Sequence, residues 1–398
     1  MRLAIMISIY LAGAVLAMLC FYGPLRRTVD PKKKRPALVW IPMGIVLILY
    51  LFPLAGGLVP SGPVCFFFQK WGNLFLGYLL YFFAPLLIIR ILFLFQHLSW
   101  LIRHHEIWRP ARGLSAALLL SLLVLTVCVN IYGYRHARDV RVTSYEIAKE
   151  ELGQTELAKI ILIGDLHMGV NSSTRIYEDM VERVNEQDAD LILIAGDIVT
   201  SAYEAMKDPD AYAAVLEKMQ AKKGKYVIYG NHDVEEPLLG GFSTIGADQA
   251  VRHPETAGFL KKCGWTLLTD EVISLPEFNG LVLAGRRDES RPGDGVAQRA
   301  PLAVLLKDVP PQSPILLLQH EPSDLTELDR YGVDLSVSGH THDGQIFPGN
   351  IASRIRGPQS YGLKNWGDSQ ALVTSGVGFY GPPIRVGTIS EIAVINLK

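Results

Sequence analysis

Four stretches near the front of the chain are apolar almost without interruption: residues 3–22, 37–59, 74–95 and 114–132. Each is about twenty residues long, the length an α-helix needs to cross a hydrocarbon core, so four transmembrane helices are predicted before residue 135. Beyond that point the pattern changes. Residues 140–148 alternate between apolar and polar, as a half-exposed strand does, whereas 159–163 form a largely apolar run that recurs at 190–195, 225–229, 315–318 and, with two serines, at 335–338. Near-continuous apolar strands are those buried on both faces, as in a parallel sheet. Residues 173–186, 210–221, 254–263 and 296–306 have helical spacing, and further strands are expected at 272–275, 281–284, 371–374 and 391–396. The alternation predicts a transmembrane domain over residues 1–134 and an α/β domain over 135–398, built as a two-layer sheet core flanked by helices.

Charge gives the helices a direction. Arg26, Arg27, Lys32, Lys33, Lys34 and Arg35 lie between the first two helices and Arg103, Arg109 and Arg112 between the last two, while the middle loop carries only Lys70. The positive-inside rule puts the two basic loops in the cytoplasm and the α/β domain on the extracytoplasmic side of a multi-pass cell-membrane protein. Arg135, Arg138 and Arg141 pull the other way, but charges leading into a long domain weigh less. Arg90, inside the third helix, is expected to snorkel towards an interface. The first run follows only Met1-Arg2 and ends in no small-x-small site, so it reads as a helix that stays. Cys20, Cys65, Cys128 and Cys263 imply neither a disulfide framework nor a thiolate zinc site. With no basic excess and no aromatic-basic stripe in the α/β part, no nucleic acid is expected as a partner.

Each buried apolar run delivers polar residues to its carboxyl end, where ligand chemistry sits in parallel sheets. They are Asp165 and His167, Asp197, then Asn231, His232 and Asp233, His320, and finally His340 and His342. Metal-assisted phosphoryl transfer needs two hard cations about 3.5–4 Å apart, held by carboxylates and imidazoles. These strand ends contain all of those groups.

In the order D-x-H, G-D, G-N-H-[DE], H, G-H-x-H, the segments resemble the calcineurin-like metallophosphoesterase superfamily over roughly residues 140–398. The resemblance implies a four-layer αββα sandwich and two divalent metal ions (manganese, iron or zinc). Asp165, His167 and His342 would bind one ion, Asn231, His320 and His340 the other, and Asp197 would bridge them. His232 would assist departure of the leaving group. Many relatives carry an acid three residues after the bridging aspartate to orient that histidine. Here Thr200 stands there, so either Asp233 takes the part or the histidine is less well held. His320-Glu321-Pro322, Gly344-Gln345 and Gly376-Val377-Gly378 with Pro383-Ile384-Arg385 are similar to the membrane-associated YkuE-like and YaeI-like subgroup. Asp343 stands where that subgroup usually has Gly, adding a carboxylate beside the metals.

The implied activity is hydrolysis of a phosphoester or pyrophosphate bond. A lipid-linked or membrane-surface substrate is expected, because Phe347, Ile351, Ile355 and Trp366 interleave with Arg354, Arg356 and Lys364 just after His342. The alternatives are an anchored hydrolase of soluble nucleotides or phosphoproteins, and a receptor that binds a phosphorylated ligand without turnover. Residues 235–252, rich in Gly and containing Phe242, are a candidate lid. Arg286, Arg287, Arg291 and Arg299 interleave with Asp288, Glu289 and Asp294 and are expected to form a salt-bridged loop. His97, His104, His105, His136 and His253 fall outside the motifs and are read as structural.

Overall fold

The structure, a computed structural model, describes residues 2–103, 111–147, 159–239, 242–246, 250–278 and 280–397. His104, His105, Arg109, Ala148 and parts of the candidate lid, including the side chain of Phe242, lie outside the described residues. The chain divides into two compact units. One comprises residues 1–133, 238–244 and 381–383, and the other residues 134–237, 245–380 and 384–398.

The first unit holds α1 (Arg2–Val29), α2 (Ala37–Leu58), α3 (Pro63–Arg103) and α4 (Arg112–His136), with a short hairpin of β5 (Leu238–Leu239) and β6 (Phe242–Ser243). All four helices are long and apolar enough to cross a membrane, a solvent in which the backbone must satisfy its own hydrogen bonds. Phe21 and Leu25 of α1, Val39 and Met43 of α2, Leu86 of α3 and Leu122 of α4 share one buried cluster. Helices α1 and α3 overrun their apolar stretches. Pro63 opens α3, where its missing N–H costs nothing, and Gln69 and Asn73 are buried along the helix instead of ending it. With 41 residues, α3 is about 60 Å long, twice the thickness of a hydrocarbon core. Arg90 does not snorkel: its Nε donates to the Cys20 carbonyl of α1 at 3.2 Å.

The second unit contains two six-stranded sheets. The first runs β1 (Val140–Ile147), β14 (Ser390–Leu397), β2 (Lys159–Ile163), β3 (Leu191–Ile194), β4 (Gly224–Val227), β7 (Thr266–Leu267). Only the β14–β2 pairing is antiparallel. The second runs β12 (Gly362–Trp366), β13 (Ser369–Val373), β11 (Leu335–Ser338), β10 (Ile315–Leu318), β9 (Leu281–Gly285), β8 (Glu271–Leu275). Its inner pairings are parallel and its two edge pairings antiparallel.

Ile160, Leu162, Leu191 and Leu193 of the first sheet share a core with Leu283, Leu316, Leu318 and Val337 of the second. The alternate residues Ile161, Ile163, Ile192 and Ile194 face outward into a cluster with α5 (Thr174–Asn185), α6 (Pro209–Leu216) and α7 (Glu255–Lys262). Both faces of these strands are therefore buried, which is why they read as unbroken apolar runs. The outer face of the second sheet is covered by α8 (Leu302–Leu305) and neighbouring turns, completing the αββα order. The helix expected at 296–306 shrinks to α8. Pro301 stands at its N-cap, and a proline ring bars a helix from running through it. A further helix, α9 (Gly349–Arg356), follows the last metal motif.

Candidate metal centre and active site

Strands β2, β3, β4, β10 and β11 end in Asp165–His167, Asp197, Asn231–Asp233, His320 and His340–His342 respectively. Three of these ends belong to one sheet and two to the other, and they converge: Asp197 Oδ2 lies 3.2 Å from His320 Nε2. The chain turns sharply to achieve this. Asp165, His167, Asp197, His340 and His342 all hold positive φ, between 49° and 71°, a backbone conformation that costs non-glycine residues about 1–3 kcal/mol each and clusters at functional sites. Gly196 (φ +82°) and Gly230 let two loops meet there, since a Cβ on Gly230 would run into the Asp197 carboxylate.

The ligand atoms of Asp165, His167 and His342 lie within 4.8 Å of one another, as do those of Asp197, His320 and His340. Asn231 Oδ1 joins the second group, 3.0 Å from His320 Nε2 and 2.9 Å from His340 Nδ1. Asp197 faces both groups: Oδ2 is also 3.6 Å from His167 Nε2, while Oδ1 accepts the His232 backbone N–H at 2.8 Å. Outer partners fix the imidazoles. His167 Nδ1 meets Thr200 Oγ1 at 2.6 Å, and His320 Nδ1 donates to the Ala195 carbonyl at 2.6 Å, leaving each Nε2 directed inward. His167 Nε2 and His342 Nε2 then stand 2.9 Å apart.

Convergence of imidazole lone pairs and buried carboxylates fits a hard or borderline cation. Burial lowers His167 to about 3 and His340 to about 4, favouring the neutral, ligating form. Burial, followed by the charge of Asp197, pushes Asp165 up to about 7, a penalty that a cation between the carboxylates would reverse.

His232 is flanked differently from expectation. Asp233 does not touch its ring. The Asp233 carboxylate accepts the Ile198, Val199 and Gly230 N–H groups at 2.8, 2.9 and 2.7 Å, tying the loop after β3 to the loop after β4. Glu236 is the acid beside His232, with Oε1 2.5 Å from Nδ1. Its Oε2 accepts from Arg291 Nη1 at 2.6 Å, and the same nitrogen donates to the Asn231 carbonyl at 2.9 Å. Burial alone would lower the pKa of His232, but Asp197 and Glu236 together raise it. The Tyr380 ring stacks on His232 with centroids 4.2 Å apart, and its buried hydroxyl has no hydrogen-bond partner among the described residues.

Asp343 does not add a metal carboxylate. It makes a two-pronged pair with Arg354 of α9, at 3.1 and 2.7 Å, and its φ of 50° explains why glycine suits the position. The arginine loop is salt-bridged as expected: Arg286 pairs with Asp324, Arg287 with Asp294, and Arg299 with Glu289 and Asp324. Arg291 is the exception that reaches the site. His253 pairs with Glu204 at 3.0 Å. Glu236 and Tyr380 escaped the motif reading because neither stands at a diagnostic spacing; Arg291 was read only as part of the salt-bridged loop, and the fully buried Arg385, whose Nη2 lies 3.3 Å from His342 Nδ1, only as part of the subgroup resemblance. The only signal was a second acid shortly after Asn231-His232.

Residues 158–344 match the family model described as calcineurin-like phosphoesterase. An uncharacterized metallophosphoesterase of Helicobacter pylori is 31% identical, over 60% of this chain and 59% of its own length. One from Aquifex aeolicus is 30% identical, over 69% of this chain and 98% of its own. A transmembrane protein with metallophosphoesterase domain from Danio rerio is 28% identical, over 69% of this chain and 62% of its own. With four apolar helices alongside such a relative, the chain is membrane-associated. It belongs to the calcineurin-like metallophosphoesterases, a family of metal-dependent phosphoric ester hydrolases.

Proposed function

We propose that this chain hydrolyses a phosphoester or pyrophosphate bond of a lipid-linked or membrane-surface substrate, at a centre of two divalent ions. The observation that carries the dinuclear assignment is Asp197 Oδ2, 3.6 Å from His167 Nε2 of one ligand group and 3.2 Å from His320 Nε2 of the other. Asp165, His167 and His342 would hold one ion and Asn231, His320 and His340 the second, with Asp197 shared. The ions, when bound, supply Lewis acidity towards the phosphoryl oxygens and lower the pKa of water. The chain does the rest. Asp197 is held in place by the His232 N–H, and Glu236 fixes the His232 ring through Nδ1, so that Nε2 is free to hand a proton to the departing oxygen. Tyr380 stacks on one face of that ring.

Support for a membrane-surface substrate comes from α9. Ile351 and Ile355 are 49% and 80% exposed on it, four residues apart and therefore on one side, beside the exposed Arg356. Trp366 and Arg354, expected to join them, are engaged within the domain: the indole donates to Gln359 Oε1 at 2.9 Å and Arg354 holds Asp343. Three residues separate α4 from β1, so the chain passes almost directly from the last apolar helix into the α/β domain. The basic loops favour an extracytoplasmic catalytic domain. A membrane-impermeant thiol reagent on intact cells should then label Lys207→Cys and miss Lys32→Cys, and the reverse pattern would overturn the sidedness. Turnover of bis-p-nitrophenyl phosphate by manganese-loaded protein tests the activity. Binding without turnover would make the chain a phospho-ligand receptor.

A further inference from the structure

The helical unit contains a cavity of about 410 Å³ between α1, α3 and α4, within the size range of small-molecule sites. Its chemistry changes along its length. Towards the end where α1 and α3 finish and α4 begins, it is lined by Arg27, His97 and Ser115, with Arg90 further in beside the Cys20 and Leu19 carbonyls. Deeper, the lining turns apolar, with Leu86, Leu118, Leu122 and Leu125. From Ser115 to Leu125 along α4 is about 15 Å, so the cavity is a slot with a cationic mouth.

The position of Arg90 in that slot is built in. Pro24 lacks an N–H, which leaves the Cys20 carbonyl four residues earlier without its helical partner. Arg90 Nε donates to that carbonyl at 3.2 Å and Nη2 to the Leu19 carbonyl at 3.3 Å. Gly23 makes room, since a Cβ there would collide with the guanidinium. Carbonyl dipoles orient the charge but do not neutralise it, and a charge at membrane depth calls for a counter-charge. Among the described residues none is supplied there. Residues 1–133 contain twelve Lys and Arg against two acids, Asp30 and Glu106. Asp30 accepts from the Lys34 N–H, and no acid lines the cavity among the described residues.

We propose that the slot binds one anionic phospholipid from the leaflet of the basic loops, its phosphate between Arg27 and Arg90 and an acyl chain along the leucines of α4. The site is independent of the catalytic assignment. Dioleoylphosphatidylglycerol added to the full chain in neutral detergent should raise its Tm and be retained at one molecule per chain in native mass spectrometry. Dioleoylphosphatidylcholine should do neither. Glycerol 3-phosphate, a headgroup without a tail, should not compete. Arg27→Gln, a mild change at the mouth, should weaken phosphatidylglycerol binding about tenfold through loss of one charged hydrogen bond. Ser121→Trp, which fills the slot, should abolish it. Equal stabilisation by both lipids, competition by glycerol 3-phosphate, or unchanged affinity in Arg27→Gln would overturn the assignment. If Ser121→Trp does not fold, the lipid pair and Arg27→Gln still decide.

Discussion

Glu236→Gln isolates the carboxylate behind His232. In the native site Glu236 is buried, with Oε1 2.5 Å from His232 Nδ1 and Oε2 2.6 Å from Arg291 Nη1. Hydrogen bonds to a charged group contribute about 1.5–3 kcal/mol net, roughly twice a neutral one. An amide of the same shape therefore removes about 1–2 kcal/mol from the state in which His232 delivers its proton, or about five- to thirtyfold in kcat. That loss applies to an alkoxide leaving group. A p-nitrophenolate departs without a proton, so turnover of its ester should fall less than about twofold. Metal content should not change, because Glu236 lies outside both ligand groups. Glu236→Ala is a different perturbation. It strands the largely buried Arg291 without its partner, at a cost of about 3–5 kcal/mol, and should lower Tm where Gln barely does. Kinetics on matched alkyl and nitrophenyl diesters, with metal analysis of each variant, give the answer. Equal losses on both substrates, or loss of metal in Glu236→Gln, would refute a role in orienting the proton donor.

Tyr380→Phe should keep metal content and Tm, because the hydroxyl has no partner to lose among the described residues. It should lower kcat about tenfold if the hydroxyl donates to a charged phosphoryl oxygen; a lower Tm with unchanged kcat would make it structural. Replacing both Ile351 and Ile355 by Glu should erase any preference for a long-chain phosphorylated lipid over its short-chain analogue in mixed micelles, leaving nitrophenyl ester hydrolysis intact, since acyl binding contributes only where the chain exists. Equal kcat/KM for long and short chains in the unmutated protein would remove the membrane-surface substrate. Burial pushes the Cys263 thiol up to about 12. Above about pH 8.5 the unfolded chain loses this proton while the folded chain keeps it, so the contribution is full below that pH and declines as pH rises, by about 1.4 kcal/mol per unit. Cys263→Ala should flatten the alkaline fall in stability measured by denaturant titration, and an identical slope would count against it.

Six of the seven residues expected to hold metal were conspicuous in the sequence because they follow strands buried almost throughout, whereas Asn231 follows one that is only partly buried. A buried strand announces itself as an apolar run, and the polar residue that stops it stands out. The same logic gave the central parallel strands and failed at the edges. The strand Gly362–Trp366 is only partly buried and Thr266–Leu267 is two residues long, so neither leaves a periodic trace. The helix at Leu302–Leu305 was overdrawn because apolar spacing continued across Pro301. As site residues, Glu236 and Arg291 were invisible for another reason. They come from separate loops 55 residues apart, and only the fold puts their charges against His232. Asp233 looked like the orienting acid by adjacency, yet its carboxylate is used up on three backbone N–H groups. Arg90 was misread because its partner is a carbonyl freed by a proline 66 residues earlier in the chain.

Metal stoichiometry tests the dinuclear centre most directly. Protein loaded with manganese, freed of excess ion and analysed by inductively coupled plasma mass spectrometry, should carry two ions per chain. Asp197→Asn, which weakens the oxygen shared by His167 and His320, should lower occupancy at both positions and abolish turnover. His232→Ala should keep two ions and lose activity, most severely on alkyl esters. One ion per chain in the unmutated protein, or Asp197→Asn retaining both ions and its turnover, would contradict a shared carboxylate at the heart of the site.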